Sequence, residues 1–231
     1  MIRAKSRRRQ TTDASVSDDL LTCPRKYRDE RFDAIAVKLF PGEHYVTDAV
    51  DEMLVTVLGS CVAACIRDPQ TRVGGMNHFM LPDDENAGAD RMLSTSMRYG
   101  CYALEVLINE LLKMGARRER LEAKVFGGGA VLANMTTLNI GDRNADFVLK
   151  YLRTEEVRVA AQDLRGPHAR RVSYFPRTGL ALVRRLTRQD DTVGVEREER
   201  ALARALSTST KAPARGAVEL FTRQTTARIP T

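Results

Sequence analysis

A short apolar run that stops at a glycine is the sequence feature that most restricts the fold of this chain. Residues 54–58 read LVTVL, a continuous run rich in β-branched residues, which predicts a buried strand. Gly59 and Ser60 interrupt the run directly before Cys61. A break of this kind ends a strand and exposes the next side chain at the edge of a sheet. The sequence therefore predicts a cysteine presented at the end of a buried strand.

Further strands and two helices are predicted around this run. The clearest helix covers residues 96–115, where apolar residues recur at helical spacing, and a second helix covers residues 142–152. Other strands are predicted at residues 34–39, 76–81, 157–161, 171–175 and 180–184. For residues 61–69 (CVAACIRDP), the pattern fits a helical turn and a strand equally well. Because strands and helices alternate, we expect an α/β or mixed α+β class, a single layered domain with two main helices.

The distribution of charge argues against a nucleic-acid partner. The chain has 231 residues and a formal net charge of +7, but residues 1–32 carry +4 and residues 187–231 carry +2, which leaves +1 for residues 33–186. Aromatic residues make up 6% of the sequence and there is no tryptophan, so few rings are available to stack on bases. We therefore expect no nucleic-acid-binding surface on the folded part.

The two ends of the chain differ in composition from its middle. Their polar and charged residues predict a disordered N-terminal extension over residues 1–32 and a charged, largely disordered C-terminal tail over residues 187–231, on either side of a domain over residues 33–186. Residues 196–206 (EREERALARAL) could form a short helix within that tail.

No apolar stretch has the length of a signal peptide or a membrane span. The sequence therefore predicts a cytoplasmic protein that does not insert into a membrane and whose thiols are reduced.

Cys61 and His78 are the residues whose types and positions suggest catalysis. His78 follows Cys61 by 17 residues and lies in another predicted strand, so neighbouring strands could bring its imidazole to the sulfur. A helical turn after Cys61 would lower the thiol pKa through its backbone N–H groups, which could also bind an oxyanion. The imidazole would accept the thiol proton before the thiolate attacks an acyl carbon. Cysteine and histidine on apolar strands are also common packing residues, so the spacing alone leaves both interpretations open.

Two other groups of residues suggest a ligand only weakly. The glycines at 127–129 lack the Lys-Ser/Thr pair of a phosphate-binding loop, so we interpret them as a tight turn near the active site. Cys61, Cys65 and His78 would offer a zinc ion only three ligands. We therefore predict neither a metal ion nor a cofactor.

Several motifs together resemble a known family. They are VTVLGSCVAACIRDPQTRVGGMNHFMLP at residues 55–82, RYG at 98–100, FGGGA at 126–130, IGDRN at 140–144 and DLRG at 163–166. These motifs are similar to those of the CheD family, the chemoreceptor glutamine deamidases of bacterial chemotaxis. The likeness extends from about residue 37 to residue 186. It implies a protein-glutamine glutaminase, a cysteine-dependent amidohydrolase that turns receptor glutamines into glutamates.

The resemblance also implies roles for particular residues. The catalytic cysteine of the family corresponds to Cys61 and its histidine to His78. Some relatives have a catalytic threonine six positions before the cysteine, but this chain has Val55 there and its threonine is Thr56. Since adjacent strand residues face opposite sides of a sheet, Thr56 is only a tentative third catalytic residue.

The local neighbours of the pair complete the predicted site. Ser60 and Asn77 could replace the missing threonine in orienting the histidine, and backbone amides around Gly59 and Ser60 could form the oxyanion hole.

The resemblance also implies protein partners. The substrates would be methyl-accepting chemotaxis proteins, modified in their cytoplasmic helical region at membrane-bound receptor arrays. A CheC-type phosphatase is a possible partner. The alternative is a non-catalytic adaptor that docks on receptors or on that phosphatase.

Overall fold

Ten strands and three longer helices make up the part of the chain that the computed structural model describes, which is residues 25–82, 95–130, 140–187 and 189–209. The strands are β1 (Arg25–Asp29), β2 (Ala34–Lys38), β3 (His44–Thr47), β4 (Glu52–Leu58), β5 (Val62–Arg67), β6 (Gly74–Asn77), β7 (Glu122–Gly127), β8 (Arg158–Leu164), β9 (Ala169–Phe175) and β10 (Leu180–Leu186). The helices are α1 (Thr95–Lys113), α2 (Ile140–Thr154) and α3 (Gln189–Ser209).

The strands form two five-stranded sheets. The first has the order β1-β2-β4-β9-β10 and the second the order β3-β6-β5-β7-β8. The β2–β4 and β7–β8 pairs are parallel and the other pairs are antiparallel. A parallel pair needs a crossover connection, and α2 lies in the connection between β7 and β8. The mixed α/β class predicted from the sequence is confirmed.

Side-chain alternation along β5 shows how the layers stack. Ala63 and Cys65 pack in an apolar cluster that contains residues of both sheets, whereas Val62, Ala64 and Ile66 pack in a second cluster with residues of α1 and α2. The order of layers is therefore sheet, sheet, helices. The segment that follows Cys61 is thus a strand, and the alternative of a helical turn there is wrong.

The two main helices lie where the apolar spacing predicted them. In α1, Leu104, Leu107 and Ile108 are fully buried against the second sheet, and in α2, Val148 and Leu152 are buried in the same cluster. No helix within the described ranges is both long and apolar enough to span a membrane.

Regular structure extends into both predicted extensions, and the domain limits of 33 and 186 stay a prediction. Strand β1 lies inside residues 1–32 and pairs with β2, with Tyr27 opposite Ala36. Helix α3 lies inside residues 187–231 and contains the short helix considered over residues 196–206. Where their burial is described, the side chains of both segments are mostly exposed, which is why their composition resembles that of a solvated tail. Residues 1–24 and 210–231 lie outside the described part of the chain.

Candidate active site

Cys61 lies on a three-residue link, residues 59–61, that carries the chain from β4 of the first sheet to β5 of the second. Its side chain is fully buried in the cluster between the sheets. The N–H of Gly128 donates to the Cys61 carbonyl (2.7 Å), and the N–H of Gly129 donates to the Gly59 carbonyl (2.7 Å). The glycine cluster therefore lies at the end of β7, against the link that carries Cys61.

Gly127 is required by this close approach. It has a φ of +112°, and a Cβ added there would lie 2.1 Å from the carbonyl oxygen of Cys61. Any residue with a side chain would meet both a strained backbone and a backbone atom that belongs to the link.

His78 follows β6 and is held by the chain just before β3. Its N–H donates to the Glu43 carbonyl (2.9 Å), and its carbonyl accepts from the N–H of Gly42 (2.7 Å). The side chain is 1% exposed. The Cys61 sulfur, a ring nitrogen of His78 and a carboxylate oxygen of Glu199 all lie within 4.8 Å of one another. The structure therefore brings together the two residues that the sequence singled out, and adds a third from α3.

Thr56 determines which nitrogen of His78 carries the proton. The Thr56 hydroxyl lies 2.8 Å from Nδ1 of His78 and donates to the carbonyl of Leu39 at 2.9 Å. Because a hydroxyl has one proton, its oxygen must accept the bond from Nδ1–H. The neutral ring then keeps its lone pair on Nε2, a buried atom without a hydrogen-bond partner among the described residues. This tautomer is the one that can accept a proton from the thiol.

The alternation of β4 explains why Thr56 faces the site and Val55 does not. Leu58 and Thr56 lie on the same face, toward the space between the sheets, whereas Met53 and Val55 pack in a separate cluster on the opposite face. Thr56, which the sequence offered only as a tentative third member of the site, therefore lies against His78. The position six residues before the cysteine is the one that points away.

Glu199 is the residue that sequence reasoning missed. Its Oε1 accepts from the N–H of Gly59 (2.8 Å) and of Cys61 (2.9 Å), and its Oε2 accepts from the N–H (2.9 Å) and the hydroxyl (2.7 Å) of Ser60. The side chain is 1% exposed. The predicted oxyanion residues thus form a four-donor nest, and a carboxylate from α3 lies in it. The run EREER gave no signal, since such charge runs are usually solvated.

Burial keeps both the thiol and the imidazole neutral, and Glu199 acts in the same direction on the thiol alone. Burial raises the pKa of the Cys61 thiol well above its usual value, and the charge of Glu199 acts in the same direction. Burial lowers the pKa of His78 to about 4, against an opposing effect of the Glu199 charge. The expected lowering of the thiol pKa by backbone N–H groups is therefore not found, because the carboxylate accepts their hydrogen bonds.

Asn77 does not orient His78 in this structure. Its Oδ1 accepts from the N–H of Ala64 (2.9 Å), and its Nδ2 donates to the carbonyl of Ala103 (3.1 Å). The amide therefore joins β6 to β5 and to α1, and the possible local substitute for a threonine is used elsewhere.

Asn144 of α2 supports the link from the other side. Its Nδ2 donates to the carbonyl of Ser60 (2.8 Å), and its Oδ1 accepts from the N–H of Leu81 (2.8 Å). The residue is fully buried. The sequence contained it only as part of the IGDRN motif, so its contact with the link is a finding of the structure.

The donor types of Cys61, His78 and Glu199 also occur in metal sites. Both oxygens of Glu199 already accept two hydrogen bonds each, which is the full capacity of a carboxylate. Cys65, which the sequence analysis considered as a third ligand, is not in this group of side chains. The arrangement therefore fits a hydrogen-bonded carboxylate better than a coordinated ion.

The site has the groups that a cysteine hydrolase uses. They are a thiol, an imidazole and a hydroxyl in series, and a nest of backbone N–H groups beside them. The family model described as "CheD chemotactic sensory transduction" matches residues 80–185. A relative from Cupriavidus metallidurans, named "Probable chemoreceptor glutamine deamidase CheD", is 90% identical over 207 residues, which are 90% of this chain and 94% of the relative. The chain therefore belongs to the CheD family.

Two further proteins are similar to this chain. A protein of the same name from Cupriavidus pinatubonensis is 80% identical over 206 residues, which are 89% of this chain and 94% of that protein. A solved structure, of the hypothetical protein YfiH from Bacillus licheniformis, has a TM-score of 0.34 at 13% identity and covers 52% of this chain and 50% of that one. The family assignment therefore depends on the sequence relatives.

Proposed function

We propose that this chain is a protein-glutamine deamidase, which converts glutamine side chains of methyl-accepting chemoreceptors to glutamates in bacterial chemotaxis, with Cys61 as its nucleophile. Membership of a family whose relatives are named chemoreceptor glutamine deamidases supports the reaction and the substrate. The observation that carries the role of Cys61 is the tautomer of His78, which leaves an unprotonated Nε2 in the buried group that contains the thiol.

The first half-reaction uses groups that are all present at the site. Nε2 of His78 accepts the thiol proton, and the Cys61 thiolate attacks the carbon of the substrate carboxamide. The carbonyl oxygen becomes an oxyanion, which the N–H groups of Gly59 and Cys61 stabilise. The C–N bond then breaks, the imidazolium gives its proton to the departing ammonia, and a thioester remains.

The second half-reaction returns the enzyme to its starting state. Nε2 of His78 takes a proton from a water molecule, which attacks the thioester carbon. The C–S bond breaks, glutamate is released, and Cys61 regains its proton from the imidazolium. Thr56 holds the ring in the same orientation for both steps through Nδ1. Neither half-reaction needs a cofactor.

The setting of the reaction is also part of the proposal. The substrate is the cytoplasmic helical region of a receptor, so the enzyme acts in the cytoplasm at membrane-bound receptor arrays. A CheC-type phosphatase stays a predicted partner.

Mass spectrometry of a receptor cytoplasmic fragment tests this function. Wild-type protein is expected to give the mass gain of deamidation, NH₂ replaced by OH, at particular glutamines, and Cys61→Ala is expected to lower the rate by about 10³-fold or more. Cys65→Ala is the matched control, because Cys65 is a second fully buried cysteine that packs between the sheets and takes no part in the site. It should keep the wild-type rate.

Each other result has a distinct meaning. Deamidation by Cys61→Ala at an undiminished rate would contradict the role of the thiol. New peptide termini would indicate a peptidase. Receptor binding without any mass change would favour the non-catalytic adaptor.

A further inference from the structure

One face of α3 is turned toward the candidate active site. Glu199, Leu202, Ala203 and Leu206 are spaced as i, i+3, i+4 and i+7, which is a single face of an α-helix. The last three pack on the cluster between the sheets that contains Cys61. The other side chains of residues 197–205 are exposed. The site is thus covered by an amphipathic helix that inserts one carboxylate.

The inserted group has the chemistry of a reaction product. Deamidation of a glutamine side chain leaves a glutamate side chain. Oε1 of Glu199 accepts from the N–H groups of Gly59 and Cys61, the same two groups that the proposed mechanism assigns to the oxyanion. The Cys61 sulfur lies within 4.8 Å of an oxygen of this carboxylate. The Glu199 carboxyl group therefore lies where a substrate carboxamide has to lie for attack.

We propose that α3 occupies the substrate groove as a product-like segment, and that the substrate is a glutamine on an amphipathic α-helix that displaces α3. The inference rests on the proposed deamidase function and specifies how its substrate is recognised. By analogy with the face of α3, the substrate helix carries small or apolar side chains three, four and seven residues after the reactive glutamine.

Because α3 is part of the same chain, it competes effectively with a substrate helix for the groove. It begins at Gln189, three residues after β10 ends at Leu186, so its local concentration at the site is high and does not depend on dilution. A substrate helix must therefore bind the groove well enough to shift the population toward the open state. Until then the thiol stays buried and protonated.

Alkylation of Cys61 in the native full-length chain tests whether α3 covers the site. The rate of reaction with iodoacetamide is followed on the Cys61 peptide in wild type, Glu199→Ala and Glu198→Ala. Glu198 is the matched control because it is exposed and acts on the Cys61 thiol through its charge. We expect Glu199→Ala to react about tenfold faster or more, since each unit of fall in the thiol pKa gives about ten times more thiolate. Glu198→Ala should stay within about threefold of wild type.

An equal rate in wild type and Glu199→Ala, with unchanged far-UV circular dichroism, would overturn the proposal. Equal acceleration by both substitutions would also overturn it, because the effect would then be one of charge and not of occupancy.

A second variant tests whether Glu199 occupies the product position. In full-length Glu199→Gln, the new amide should itself be hydrolysed, so that the intact chain gains the mass of one deamidation at residue 199. The double variant Cys61→Ala, Glu199→Gln should keep the amide. If the amide persists in the single variant while the same preparation deamidates a receptor fragment, Glu199 does not lie where the substrate group lies, and the inference is wrong.

The two proposals fail in different ways. If neither residue 199 nor any receptor glutamine changes mass, the deamidase function is wrong, and the alkylation rates decide by themselves whether α3 covers Cys61.

Discussion

The hydroxyl of Thr56 lies 2.8 Å from Nδ1 of His78, although Thr56 belongs to the first sheet and His78 follows a strand of the second. The same hydroxyl donates to the carbonyl of Leu39, which follows β2. This contact fixes the ring tautomer, and it also makes the chemistry of His78 depend on how the two sheets are packed.

Thr56→Val is expected to lower kcat by on the order of 100-fold with little change in KM, because Nδ1–H loses its acceptor and the ring is no longer held for proton transfer. Thr56→Ser keeps the hydroxyl and should restore most of the rate. The measurement is steady-state deamidation of a receptor fragment over a range of pH. A kcat in Thr56→Val equal to that of wild type would exclude the positioning role.

Asn144→Asp is expected to lower the free energy of unfolding by about 3 kcal/mol, because it removes the donor to the Ser60 carbonyl and buries a carboxylate beside that oxygen. Asp146→Asn, on the same helix with its side chain 72% exposed, is the control and should change stability by less than about 1 kcal/mol. Urea unfolding followed by circular dichroism gives both values. Equal stability of the two variants would show that the amide does not hold the link.

Gly127→Ala and Gly115→Ala form a matched pair, since both glycines have a positive φ, +112° and +96°. A Cβ at Gly127 would lie 2.1 Å from the Cys61 carbonyl oxygen, whereas a Cβ at Gly115 meets nothing within 4 Å. We expect a loss of about 1 kcal/mol for Gly115→Ala from backbone strain alone, and at least about 3 kcal/mol for Gly127→Ala. Similar losses in thermal or urea unfolding would contradict the importance of the close contact.

The stability of the fold should decrease as the pH falls from about 6.5 to about 4. Burial lowers the pKa of His78 to about 4 from its usual 6.5, so within this window the unfolded chain binds a proton that the folded chain does not. The loss assigned to this residue between pH 7 and pH 5 is about 2 kcal/mol. It is measured as the difference between wild type and His78→Gln in urea unfolding at the two pH values. An identical pH dependence in both proteins would contradict a buried neutral histidine.

Local patterns in the sequence predicted those parts of the fold that local patterns determine. The run LVTVL forms most of β4, and the apolar spacing of α1 and α2 matches their buried faces. The face on which Thr56 lies could not be predicted, because alternation states which residues share a face but not which face meets His78. That choice depends on β2 and β6, which are distant in the chain.

The position of Glu199 could not be predicted from the sequence for a related reason. Its partners at the link are 138 to 140 residues away in the chain, and none of the groups involved forms a recognisable spacing. A glutamate within EREER is expected to be solvated. Glu199 is buried instead, because four hydrogen-bond donors of the link compensate for its lost hydration. These donors converge only when the link is folded.

The link at residues 59–61 joins the two sheets and also carries Cys61, and Gly128, Gly129 and Asn144 hold its carbonyl groups. A small sliding of one sheet over the other would misalign the reacting atoms while nearly every strand remained paired. On heating, the deamidase activity should therefore be lost at a temperature several degrees below the one at which the circular dichroism signal changes. Efforts to make the protein more heat-resistant should accordingly strengthen the boundary between the sheets, and not the outer helices.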